Sequence, residues 1–295
     1  MEDLSNRVAV VTGAGGGMGR SIALALAAEG VDVVVSDIEG DAAEKVANEV
    51  RELGRRALGV ATDVSQLDQV EHLADLAYEE FGAVDILVNN AGVTMRPFRA
   101  SWDTELRDFQ WVMNVNWYGA LHGHLAFVPR MREQKRDSHI VNTSSMTSMF
   151  TVPGHSAYSA SKAAIDAFSM CAREEFKIAG IPIAVSVFFP GAVKTRVGTS
   201  ERLRPEADRS DVRHVKPWTD YTSTPAAAVG AENLNGLTPL SEVTNFMQPM
   251  HPDEVGPLVV NGIRQNYDFI SSHPAPADLI QDRADRLANS FHGLS

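Results

Sequence analysis

Short apolar runs alternate with longer amphipathic stretches along most of this chain, the pattern of strands joined by crossover helices. The pattern predicts strands near 7–12, 31–36, 56–61, 84–89, 138–143, 182–188 and 267–271, with helices starting near Gly17, Gly40, Gln66, Trp102, Ser156 and Pro252. Val31-Asp-Val-Val-Val35 and Val84-Asp-Ile-Leu-Val88 are almost continuously apolar, as strands covered on both faces should be. The expected fold is α/β: a doubly wound, parallel, seven-stranded sheet with helices on both faces, in one domain spanning 1–295. The rhythm breaks over 196–250, where Pro205, Pro217, Pro225, Pro239 and Pro249 are scattered among charges. A segment this long without its own elements is unusual unless it serves function, so short helices are expected there, one opening at Thr238-Pro239. The tail, 274–295, carries Leu279, Ile280, Ala284, Leu287, Ala288 and Phe291 at helical spacing.

Bulk properties narrow the possibilities. A chain of 295 residues with 44% hydrophobic composition supplies a full core, and a formal charge of −12 argues against a general nucleic-acid or anionic-membrane surface. Cys171 is the sole cysteine, fits a reducing compartment, and sits at helical spacing with Ala164 and Phe168, which predicts a buried structural thiol. Met-Glu-Asp-Leu-Ser at the start lacks the features of a signal peptide, and no run of about 18 apolar residues is present. The expectation is a soluble, cytoplasmic protein without membrane or nucleic-acid partners. His122-x-His124 is not read as a metal site, because residues two apart on a helix face different ways. Trp102, Trp111 and Trp117 are read as core or subunit packing.

Candidate chemistry concentrates in three places. Tyr158-Ser-Ala-Ser-Lys162 sets a phenol and an ammonium one helical turn apart, and a lysine held there would favour the phenolate and make the tyrosine a proton donor and acceptor near neutral pH. Upstream, the strand His139–Thr143 ends in the hydroxyl pair Ser144-Ser145. Near the start, Val8–Val11 leads into Thr12-Gly-Ala-Gly-Gly-Gly-Met-Gly19, where Gly13, Gly17 and Gly19 mark a strand-to-helix turn whose free N–H groups suit a pyrophosphate. Asp37 follows the second strand at the place where a carboxylate meets ribose hydroxyls and would repel a 2′-phosphate.

Together with Asn89-Asn90-Ala91-Gly92, Asn116 and Pro190-Gly191-x-Val193-x-Thr195, these motifs resemble the short-chain dehydrogenase/reductase family, in order from about residue 5 to 195. The resemblance implies a Rossmann-type fold and an NAD cofactor. It implies that Tyr158 is the general acid/base, that Lys162 binds the nicotinamide ribose and lowers the tyrosine pKa, and that Ser145 polarises the substrate oxygen. It further implies that Asn116 holds a water in a proton relay. Asn116-Trp-Tyr-Gly119 fits the family's asparagine step where Asn114 does not, and the family's serine-to-tyrosine spacing selects Ser145, although the residues alone leave Ser144 open. Met18 belongs to the glycine turn. By the same resemblance Asp63 and Val64 bracket the adenine, Asn90, Ala91 and Gly92 lie beneath the cofactor, Pro190, Gly191 and Val193 lead to it, and Thr195 holds the carboxamide.

Met146, Met149 and Phe150 follow the candidate serine and predict an apolar substrate pocket. In the family a lid covers the substrate where 196–250 stands, and the enlarged segment serves either a larger substrate or an oligomer contact. Asn116–Met131 and the segment from Pro252 to His273 are further similar to bacterial Cα-dehydrogenases, which act on benzylic alcohols of lignin-type β-aryl ethers. The leading expectation is an NAD(H)-dependent oxidoreductase for a bulky, apolar, secondary alcohol or ketone. A non-catalytic dinucleotide-sensing or scaffold protein, or a reductase of smaller acyl or sugar carbonyls, are the alternatives. The resemblance also implies a homo-oligomer, a tetramer or else a dimer, paired through the helices that carry Asn116 and Tyr158.

Overall fold

The computed structural model describes residues 1–96, 99–150, 152–209, 248–274 and 277–291. The helix expected at Thr238-Pro239, and most of the expected lid, lie outside these residues. Seven parallel strands form one sheet: β1 Val8–Thr12, β2 Asp32–Asp37, β3 Ala57–Ala61, β4 Ile86–Asn89, β5 Ser138–Thr143, β6 Ile183–Phe189 and β7 Phe269–Ser271. Their spatial order is β3-β2-β1-β4-β5-β6-β7. The crossovers are the helices α1 Gly17–Ala28, α2 Gly40–Glu52, α3 Leu67–Phe81, α4 Leu106–Met113, α5 Gly119–Gln134, α6 Ser156–Ala179 and α7 Val255–Gln265, followed by α8 Ala277–Asn289.

Alternation along each strand divides the core into two layers. Ala9, Val11, Val33, Val35, Ile86 and Val88 point into the layer shared with α1, α2 and α7. Val10, Val34 and Leu87 point the other way, onto Leu73, Phe127, Met131 and Phe176 of α3, α5 and α6. Both layers are apolar, hence the near-continuous hydrophobic runs in the sequence. Among the described residues, no helix is long and apolar enough to cross a membrane.

Four local expectations are corrected. β4 starts at Ile86 rather than Val84, because both backbone groups of Val84 pair with the side chain of Gln134, at 3.0 Å each. The expected helix at Trp102 is a short 3₁₀ turn over Ser101–Asp103, and α4 begins only at Leu106, where the Asp108 carboxylate accepts from the N–H of Glu105. Trp102 is 72% exposed rather than a core residue. Cys171 is exposed, not buried, because the inward stripe of α6 runs through Ser161, Ile165, Ser169 and Ala172, leaving Ala163, Ala167 and Cys171 on the opposite side.

Candidate active site

The strand order reverses between β1 and β4, and a cleft opens at the carboxyl ends of these strands, as expected for a switch point. The cavity there measures about 630 Å³, within the range of small-molecule sites. Its floor is the glycine turn. Gly13 has φ +62° and would carry a Cβ 2.7 Å from the Cα of Ala91, while a Cβ on Gly19 would sit 2.3 Å from the carbonyl oxygen of Gly13. Neither position accepts a side chain without moving backbone. Thr12 and Asn90 lock the two strand ends together: Thr12 Oγ1 accepts from the N–H groups of Asn90 (3.0 Å) and Ala91 (3.1 Å), and Asn90 Nδ2 donates to the carbonyl of Thr12 at 2.9 Å. Helix α1 starts with no side-chain cap at Gly16 and no acidic residue in its first turn, so its leading N–H groups face the cleft with a partial positive charge.

At one end of the cleft, Asp37 Oδ2 accepts from Gly15 N at 2.9 Å and Oδ1 from Glu39 N at 3.0 Å, which leaves the carboxylate lone pairs for a further donor. Asp63 closes its own turn by accepting from Ser65 N at 2.9 Å, and Val64 packs beside Gly119. Glu39 Oε2 holds two guanidinium groups, Arg196 and Arg202, each at 2.9 Å. The Arg202 hydrogen bond is the main reason the Glu39 carboxyl lies below its ordinary range, against the opposing effect of burial. Thr195 stands over Gly17 and accepts from Val197 N at 3.3 Å.

At the other end, α6 presents Tyr158, half-buried, and Lys162, buried, from its first turns. The Lys162 ammonium donates to the carbonyl of Thr143 at 2.8 Å and sits 5.6 Å from the centroid of the Tyr158 ring. Burial lowers the Lys162 pKa to about 8, with Asp166 opposing. Burial raises the Tyr158 phenol, and a hydrogen bond with Ser145 pulls it back down. Ser145 is thus a group that favours the phenolate here. Ser145 Oγ also accepts from the N–H and hydroxyl of Thr147, at 3.2 and 3.1 Å. Its neighbour Ser144 donates to the carbonyl of Lys162 at 3.2 Å, and it is Ser144, not Ser145, whose surface lines the cleft. Asn116 lies in a π-helical turn, Asn114–Tyr118, between α4 and α5. Its amide is fully engaged, accepting from Val93 N at 2.8 Å and donating to Val93 O at 3.1 Å and Ser161 Oγ at 3.0 Å.

The cleft thus brings together Gly13, Gly17, Met18, Gly19, Asp37, Asp63, Val64, Asn90, Ala91, Gly92, Tyr158, Lys162, Pro190 and Thr195. Gly191 lies behind it, donating its N–H to Ser272 Oγ at 2.9 Å, and Val193 pairs with Met250 beside the core. Met146 and Phe150 do not line the cavity. With Val187 and Phe189 they form a separate buried cluster, against which Met149 and Leu279 of α8 pack. Trp111, assigned to packing from the sequence, lines the cavity with Gln110 and Asn114. Arg196 and Arg202 carried no local signal, since Glu39 lies far away in sequence; Trp111 was recoverable only by placing α4 and its wide turn correctly. His122 Nδ1 contacts the carbonyl oxygen of Val64 at 2.8 Å, while His124 stacks on Phe176 with centroids 5.9 Å apart.

Residues 7–206 match the family described as short chain dehydrogenase. The chain is 30% identical to a CLA biosynthesis dehydrogenase/reductase of Lactiplantibacillus plantarum, over 97% of this chain and 95% of that one. It is 36% identical to a 1-deoxy-11-beta-hydroxypentalenate dehydrogenase of Streptomyces exfoliatus, over 65% of this chain and 69% of the relative. Among solved structures, a short chain dehydrogenase/reductase from Burkholderia phymatum in complex with NAD superposes with a TM-score of 0.85 at 30% identity, covering 98% of this chain and 97% of the other. With the cleft, the glycine turn and the Tyr158–Lys162 pair in place, the chain belongs to the short-chain dehydrogenase/reductase family.

Proposed function

We propose that the protein is an NAD(H)-dependent oxidoreductase that interconverts a bulky, apolar secondary alcohol and its ketone. The observation that carries this reading is the placement of Tyr158, hydrogen-bonded to Ser145, with Lys162 at one end of a cleft whose other end holds Asp37 and the glycine turn. The residues fit a dinucleotide: the uncapped start of α1 suits a pyrophosphate, and Asp37 suits unphosphorylated ribose hydroxyls. NAD supplies hydride acceptance, and NADH hydride donation. Gly13 and Gly19 let the backbone approach the phosphates, and Lys162 is placed to donate to the nicotinamide ribose. In the reductive direction Tyr158, its phenol raised by desolvation and so protonated, donates its proton to the carbonyl oxygen while Ser145 Oγ–H holds that oxygen. In the oxidative direction the same phenol accepts the hydroxyl proton. Asn116 fixes the turn beneath Lys162 through its bonds to Val93 and Ser161. Val93, Trp111, Leu203 and Pro205 supply apolar surface to the same cleft for a large substrate. The name of the Streptomyces relative, with its hydroxylated pentalenate, is in keeping with that class.

The test is NAD and NADP reduction against a panel of aryl and alicyclic secondary alcohols, run beside Tyr158→Phe. The parent should turn over with NAD in preference to NADP, and the variant should lose about 10²–10⁴-fold in turnover while still binding NADH. Retention of more than about a tenth of parental turnover by the variant would remove Tyr158 from the chemistry.

A further inference from the structure

Arg196 and Arg202 form a feature that the reaction above does not use. Both line the cleft, and both reach across from the segment after β6 to the same oxygen of Glu39, just before α2. The Arg196 guanidinium stands over the glycine turn, with Nη2 3.7 Å from the position a Cβ would take on Gly16, the residue that opens α1. Arg202 is aimed from behind, its Nη1 donating to the carbonyls of Arg196 (3.4 Å) and Thr199 (3.3 Å). Two guanidinium groups share one carboxylate oxygen beside uncapped helix N–H groups, a combination that favours an anion able to take that carboxylate's place. Arg196 is 56% exposed and Glu39 36%, so these ion pairs contribute little and are easily exchanged for a better acceptor. A phosphate held at a helix start and gripped by a guanidinium fork is such an acceptor.

We propose that Arg196 and Arg202 clamp the pyrophosphate of the dinucleotide, with Glu39 as their parking partner until it binds; this rests on the dinucleotide reading above. The clamp joins both sides of the groove, so it serves affinity for the cofactor rather than the chemistry at Tyr158. The 2′-phosphate of NADP is the other anion that could approach this end, but Asp37 and Glu39 both face it with carboxylates, which favours the pyrophosphate.

The experiment is calorimetric titration of ADP-ribose and 2′-phospho-ADP-ribose into the parent, Arg196→Met, Arg202→Met and Glu39→Gln, at low and high salt. Loss of one charge-assisted contact should weaken ADP-ribose by about tenfold in each arginine variant and reduce its salt sensitivity. Glu39→Gln breaks the same ion pairs but keeps both cations, so it should bind ADP-ribose at least as tightly as the parent. The proposal is overturned if the arginine variants bind within twofold of the parent. It is equally overturned if Glu39→Gln weakens binding as much as they do, which would mark the bridges as structural. A loss confined to the 2′-phosphorylated ligand would assign the pair to that phosphate instead. If the parent itself binds neither ligand, the dinucleotide reading fails, and the clamp with it.

Discussion

Lys162 combines two demands that pull against each other. Its ammonium is buried, donates to Thr143, and has a pKa lowered to about 8, far below the value in an unfolded chain. Between that pH and about 10.5 the unfolded chain binds more protons at this residue than the folded one does, so stability from this source rises with pH across the window. Below about pH 8 both states are protonated and the full cost of burying the charge is present. Lys162→Met removes this dependence. The difference in unfolding free energy between parent and variant, measured by denaturant titration at pH 7 and pH 10, should shift toward the parent by about 3 kcal/mol at the higher pH. A constant difference would show that the buried ammonium is fully solvated. The identities of Tyr158, Lys162, Gly13 and Asp37 were legible in the sequence because each is tied to a neighbour within one turn or one strand end. Cys171, Met146 and Arg196 were misread or missed for the opposite reason. Which side of α6 faces inward, what packs behind β6, and which carboxylate catches a distant guanidinium all depend on contacts between segments far apart in the chain.

At the scale of elements, the described base of the segment after β6 is fastened to α4 by a buried charge cluster. Asp108 of α4 accepts from Arg99 at 2.5 Å through Oδ2 and from Arg204 at 2.7 Å through Oδ1, and both arginines are buried. Arg204 also lies 4.9 Å from the centroid of the Trp111 ring, so the cavity wall and the clamp-bearing segment share one support. A second fastening is Ser200, which accepts from Thr94 N and donates to Thr94 O at 2.9 and 2.8 Å. Removing the carboxylate strands two guanidinium groups away from water, and Asp108→Ala is expected to cost about 3–5 kcal/mol of stability. Urea denaturation tests this, and a loss under about 1 kcal/mol would mean that the arginines find other acceptors. The strands were predictable from their apolar runs. The boundaries at Val84 and Trp102 were not, because side chains of Gln134 and Asp108 satisfy backbone groups that the local pattern assigns to a ladder or helix.

For the whole molecule, α6 turns Ala163, Ala167 and Cys171 outward, and Tyr118 of the wide turn and Leu125 of α5 are exposed as well. Small residues there allow close approach of a second copy, and two-fold assemblies are the commonest among soluble enzymes. The expected state is a homotetramer, with a dimer next. Light scattering through a dilution series should report four subunits or two, and a stable, active monomer would refute the assembly. The wide turn at Asn114–Tyr118 governs how such a surface relates to the cleft. Buried positions Asp108, Val112, Asn116 and Ala120 fall every four residues, a stride that would swing steadily around a cylinder of 3.6 residues per turn. The extra residue absorbed by the wide turn resets that phase. It works like a one-tooth offset in a gear train: Trp111 and Asn114 mesh with the cavity on one side of the offset, while beyond it Phe127 and Met131 engage the core and Leu125 turns to solvent. The bearing of the catalytic cleft relative to the outer helix face is therefore set by a count of residues rather than by any single side chain.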